Sequence, residues 1–470
     1  MRAWLGCVLL GARSRGSFRQ AVCLSQPQAV PIQARKGILR LVGAVAGGSV
    51  FSFGIRLVSG LLITAFILPE ELGLFNGLAL LLTYAPCLLG GVSAGLAREL
   101  PIGIGRGDLE TTQRLTRCTF WWAWRVGFMA GLVMAFLSVV SGIRGDAHFA
   151  AGFATFAFCV PCACLIPCLQ ACLKTRDEFV RVAQAQVLAA VVGLATVAAI
   201  PFLGFYGLCC RTLLMMAVEV VLLYRAMPET PRPRWDWSAC RRLIATGIPI
   251  YAVSMAFLSW RSMDSVILLY LAGSGSLGLY AVAVLFTQGG AALTNALGQV
   301  LYPRMAEAYG RTGDPREALA MIWRPMALLG LAGLPVFLLA WTAVPHVIPW
   351  ALPKYAAGVP AAQWACLSAY LGCFLVNLPV FNVVKRQDLL ALSLAVSAAA
   401  FLAALPLTST RSEELLVGVA KAYALGNLTL AIGSNVLAVW GTHAACRREP
   451  TLARRGGQQD LSGSLSAPIS

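Results

Sequence analysis

Apolar residues run in blocks of about 20 along nearly the whole chain, and the polar residues gather in the short gaps between them. A hydrocarbon core of about 30 Å takes roughly 20 residues of helix to cross. Backbone groups in lipid must pair within their own segment, so blocks of this length predict helices. The two-residue alternation of a membrane barrel is absent from the pattern. The blocks fall at 43–69, 72–97, 118–141, 148–173, 182–203, 206–226, 244–271, 276–301, 325–350, 358–383, 388–408 and 414–442. The expected fold is therefore an all-α, polytopic membrane protein of about twelve transmembrane helices. Pro86, Pro161, Pro167, Pro249, Pro335 and Pro379 lie inside these blocks and mark expected kinks.

Composition agrees. The chain is 58% hydrophobic and 12% charged, against about 25% charged in a soluble domain. Lys and Arg alternate strongly between successive gaps. With the N-terminus taken as cytoplasmic, 29 lie in inside segments and 3 (Arg144, Lys354 and Arg411) in outside loops. One helix missed or invented mid-chain would destroy this ratio, which predicts both termini on the cytoplasmic side. The net charge of +17 then belongs to a membrane surface and not to a nucleic-acid patch. The first 34 residues hold Arg2, Arg13, Arg15 and Arg19 and no acid. They read either as a targeting segment or as a disordered tail, and the second reading is preferred.

The chain repeats itself. Leu72-Gly73-Leu74-Phe75 matches Leu277-Gly278-Leu279-Tyr280 at an offset of 205. Arg98 followed by Gly105-Arg106-Gly107-Asp108 matches Arg304 followed by Gly310-Arg311-Thr312-Gly313-Asp314, at 205 or 206, and the same offset carries Arg56 onto Arg261. Each repeat holds six spans, an even number, so the halves enter the membrane alike and are parallel repeats about an axis along its normal. The expected domains are a basic tail (1–42), a first six-helix bundle (43–226), a Pro- and Arg-rich cytoplasmic linker (227–243), a second bundle (244–443) and a disordered tail (444–470).

The run Ile67-Leu68-Pro69-Glu70-Glu71-Leu72-Gly73-Leu74-Phe75 resembles the junction of the first two helices in polysaccharide-biosynthesis flippases. Leu277-Gly278-Leu279-Tyr280 and Leu301-Tyr302-Pro303-Arg304 resemble the corresponding segment and loop of the second half. This family holds the O-antigen and exopolysaccharide translocases, in the superfamily of the MATE multidrug exporters and the lipid II flippase. The resemblance covers roughly residues 40–440 and implies two six-helix bundles around a partly cationic cavity. It implies flipping of an undecaprenyl-pyrophosphate-linked oligosaccharide across a bacterial inner membrane. Glycosyltransferases or a polymerase of the same pathway would be partners.

Five bases lie within spans, Arg56, Arg125, Arg211, Arg261 and Lys421, and two acids join them away from the span ends, Glu219 and Asp264. A charge at the bilayer centre costs about 2.5–3.5 kcal/mol on insertion scales, so it needs a partner or a wet cavity. Arg56 and Arg261 fall near mid-span, where guanidinium groups would bind a passing diphosphate bidentately. Arg261 has a second reading, as the partner of Asp264 one turn on. Arg211 and Lys421, nearer span ends, are weaker substrate-binding candidates. Glu219 and Asp264 are candidates for coupling or ion pairing. Arg125, beside Trp121, Trp122 and Trp124, reads as a snorkelling residue in an aromatic belt. Cys159-x-x-Cys162 has metal-compatible spacing but no His or carboxylate beside it, and His148, His346 and His443 are scattered. No nucleotide-binding loop is present. No cofactor and no enzymatic activity are expected. The competing functions are a cation-coupled multidrug antiporter, which would want an acidic cavity, and a membrane-embedded glycosyltransferase or polymerase, which would want larger loops.

Overall fold

A computed structural model describes residues 51–463 apart from Phe53, 106–107, 177, 228–231, 313, 385 and 409–414. The basic tail lies outside the described residues. Ten helices have the length and apolarity to cross a membrane. The shorter apolar helix Gly54–Phe66 and the 32-residue helix Ala281–Thr312 bring the number to twelve. In chain order these are α1 (Gly54–Phe66), α2 (Pro69–Leu89 and Val92–Gly105), α3 (Leu109–Ile143), α4 (Ala147–Thr175), α5 (Phe179–Leu203) and α6 (Phe205–Ala226). The second half follows as α7 (237–272), α8 (274–312), α9 (Pro315–Ala351), α10 (Pro353–Val383), α11 (Gln387–Thr408) and α12 (Leu415–Gly463). The helical backbone of α12 runs past residue 443, so 444–463, expected as a structureless tail, is helical. The good helix formers Ala444, Ala445, Leu452 and Ala453 suit that conformation.

The repeat is visible in the element boundaries. α2 begins after the extended Leu68 and α8 after Gly273, at φ 76°, an offset of 205. Only glycine takes that backbone readily, and it lets the chain turn from α7 into α8. Asp108 caps α3 by accepting from the Thr111 N–H, and Asp314, 206 residues on, caps α9 by accepting from Arg316.

Among the prolines expected to kink helices, Pro86 and Pro379 sit at breaks, while α4, α7 and α9 run on through Pro161, Pro167, Pro249 and Pro335. The break in α2 is a 3-10 turn, Ala85–Leu89, followed by Gly90 and Gly91 at positive φ. Such a turn strands carbonyls that water cannot reach, and side chains of other helices take them. Trp122 Nε1 donates to the Leu89 carbonyl at 3.2 Å, the Tyr251 hydroxyl to Cys87 at 2.8 Å, and the Cys164 thiol to Ala85 at 3.5 Å.

The Arg-rich connections gather at one face, here the basic face. At the opposite face the halves share a core. Ile63, Ile67, Phe75, Phe156 and Phe205 pack with Val282, Ile348, Tyr355 and Val359. Gly73 and Gly278, a repeat pair, sit where α2 and α8 cross. A Cβ on Gly73 would overlap the Ser274 backbone, and one on Gly278 the Pro69 backbone. At the basic face the start of α7 joins the first half: Ala239, Cys240 and Leu243 bury among Leu96, Cys118 and Leu173. Arg242 pairs with Glu99, and Arg114 with Asp236, both at 2.6 Å.

Candidate functional site

α1 and α7 place Arg56 and Arg261 at matched depth. Arg56 lies 11 residues before the end of α1 near Ile67, and Arg261 lies 12 before Gly273, about 16–18 Å at 1.5 Å per residue. Half of a 30 Å core is about 15 Å, so both are near the midplane. Both are exposed, and neither has a hydrogen bond or ion pair to another described residue. The Asp264 partnership is not formed. Asp264 is buried and accepts from the Tyr280 hydroxyl at 2.9 Å and from the N–H and hydroxyl of Ser265. Arg261 instead lies within electrostatic reach of Tyr423 on α12.

Arg211 and Lys421 form a second tier. Arg211 lies six residues into α6, and Lys421 lies near the first described residues of α12. Arg211 is partly buried and held. Its Nε donates to the Gly193 carbonyl and its Nη2 to the Ser59 hydroxyl, both at 3.0 Å. Lys421 Nζ lies 5.9 Å from the centre of the Trp364 ring, an attractive cation–π arrangement.

The structure brings Arg56, Arg211 and Glu219 together in the first half: Arg56 interacts electrostatically with both others. Glu219 also accepts from Gln170 Nε2 at 3.4 Å. No hydrogen bond or ring contact joins this set to Arg261, Asp264 and Lys421 among the described residues. Arg56 and Arg261 therefore keep the repeat's symmetry and Asp264 breaks it. At the position of Asp264 the first half has Ser59. Tyr280, Ser59 and Trp364, which hold Asp264, Arg211 and Lys421, were not among the residues expected from sequence. The 205 offset pairs Ser59 with Asp264 and is the signal that would have singled out Ser59. Among the described residues no group of three His, Cys, Asp or Glu assembles that would hold a metal ion. Cys159 and Cys162 are buried free thiols on α4.

The family model of the polysaccharide biosynthesis proteins matches residues 66–354, from the end of α1 to the start of α10. The chain belongs to that family. No curated protein matches it. Among solved structures it resembles a multidrug-resistance MATE transporter of the MOP superfamily in an inward-facing conformation. That match has a TM-score of 0.65 and 14% identity, over 84% of this chain and 95% of the other. The Vibrio cholerae MATE transporter VcmN in its bent form matches at TM-score 0.61 and 13% identity, over 88% and 99%. A MOP-superfamily transporter from Pyrococcus furiosus, described as having a binding pocket of reverse polarity, matches at 0.59 and 15%, over 87% and 96%. At such identities the likeness shows the fold. This polysaccharide biosynthesis family member is thus a multi-pass membrane protein with the two-bundle fold of the MATE transporters.

Proposed function

We propose that this protein flips a polyprenyl-diphosphate-linked oligosaccharide across a bacterial inner membrane, with both termini cytoplasmic, for assembly of a surface polysaccharide. One observation carries the reading: the mid-span cations Arg56 and Arg261 stand at repeat-matched positions, with Arg211 and Lys421 as two further cations within spans. A diphosphate crossing the apolar layer loses its hydration, and fixed guanidinium groups replace part of it with charge-assisted bonds. Arg56 and Arg261, with no hydrogen-bond acceptor among the described residues, are the groups available for that purpose. Arg211 and Lys421, already held by Ser59 and Trp364, supply a second positive layer nearer the opposite face. In the conformation described the halves share a core at that face. On this reading the basic face is cytoplasmic and substrate enters from the cytoplasmic leaflet.

The experiment is surface-polymer production in a strain that depends on this protein. Arg56→Ala and Arg261→Ala should each abolish the polymer at normal protein level, while the Lys variants, which keep the charge and lose the bidentate fork, retain part of it. Wild-type output from the Arg56→Ala strain would remove the site.

A further inference from the structure

We propose that the Arg- and Trp-lined patch where the linker between the halves lies on α3 is a binding site for the headgroup of an anionic phospholipid. Three features define the patch. Along α3, Arg117, Trp121 and Arg125 follow one another at four-residue spacing and share a helix face. The linker lies on that face: the Arg234 N–H donates to the Arg117 carbonyl at 3.3 Å, and the Trp235 ring stands 4.5 Å from Trp121 and 6.0 Å from Trp122. The Arg125 guanidinium lies over the Trp121 ring at 5.3 Å.

Among the described residues the cations of this patch lack an anion. The carboxylates beside them are already engaged, Asp236 by Arg114 and Ser238, and Glu99 by Arg242. The side chains of Arg117, Arg125 and Arg234 are exposed, and none has an acceptor among the described residues. An anion from outside the chain is what their charge complements.

The surface below selects a lipid as its source. Immediately past Arg125, the exposed residues of α3 turn wholly apolar: Phe128, Met129, Leu132, Val133 and Phe136. The boundary between headgroup layer and hydrocarbon therefore falls at Arg125, the level at which Trp rings also settle. A phospholipid with its phosphate among Arg117, Arg125 and Arg234 would lay its chains along Phe128, Met129 and Leu132. Free phosphate would use only the upper part of this surface. The bound lipid would touch both α3 of the first half and the linker to the second, and so hold the connection in place.

The full-length protein, purified in detergent, tests this by native mass spectrometry and thermal melting with phosphatidylglycerol or phosphatidylcholine added. Phosphatidylglycerol should be retained preferentially and raise the melting temperature. The Arg125→Gln/Arg234→Gln variant should retain on the order of tenfold less of it. The Arg125→Lys/Arg234→Lys variant should keep most of it, and Arg144→Gln, at the opposite face, all of it. Equal retention of both lipids by the wild type would overturn the proposal. So would unchanged retention by a folded Gln variant, loss in the Lys variant, or equal stabilisation by inorganic phosphate alone.

Discussion

At the residue scale, which charges sit inside the membrane was legible from sequence, and how they are held was not. Arg56 and Arg261 stood out as mid-span bases on one repeat offset. The Arg261–Asp264 alternative could be settled only by side-chain direction, and Asp264 turns out to be taken by Tyr280 and Ser265. If Arg261 acts on substrate and not on Asp264, the two variants should part company. Arg261→Ala should leave melting temperature and abundance near wild type and lose transport. Asp264→Ala removes the acceptor of a buried Tyr280 hydroxyl, so it should lower stability by about 1–3 kcal/mol, read in denaturant or heat. Equal loss of abundance in both, recovered in the double mutant, would restore the ion-pair reading.

At the element scale, the helices were legible because a 20-residue apolar block has few alternatives in lipid. Their interruptions were less so. Proline marked six expected kinks, yet a helix runs through a proline wherever its neighbours satisfy the freed backbone. Breaks occur where a proline joins a glycine pair, as with Pro86, Gly90 and Gly91, or where Gly273 adopts positive φ. The α2–α8 crossing depends on missing side chains: Gly73→Leu or Gly278→Leu should strip folded protein from detergent extracts, because a Cβ at either position overlaps backbone and no rotamer relieves it. The linker gives a pH prediction. The Ser238 hydroxyl and Arg114 hold the Asp236 carboxyl below its ordinary value. The contribution of a depressed carboxylate is present above its unfolded pKa and lost as pH falls through the folded one. Linker docking, followed through Trp235 fluorescence, should hold from neutral pH to about pH 4. Asp236→Asn should weaken it throughout that range.

At the scale of the whole molecule, parallel repeats and their axis followed from four matches near one offset and an even helix count, and the element boundaries carry the same offsets. The basic asymmetry predicts orientation: alkaline phosphatase fused after Arg144 or Lys354 should be active, and after Arg114 or Arg311 inactive, with any reversal breaking the twelve-span arrangement. The central claim is that the matched cations carry a lipid-linked diphosphate. Purified protein in sealed vesicles, supplied with a fluorescent polyprenyl-diphosphate oligosaccharide, tests it most directly. The wild type should move the lipid between leaflets well above the protein-free rate, and the folded Arg56→Ala/Arg261→Ala variant should not. Equal flipping by that variant, or wild-type exchange of a cationic drug for protons with no movement of the lipid, would contradict the account.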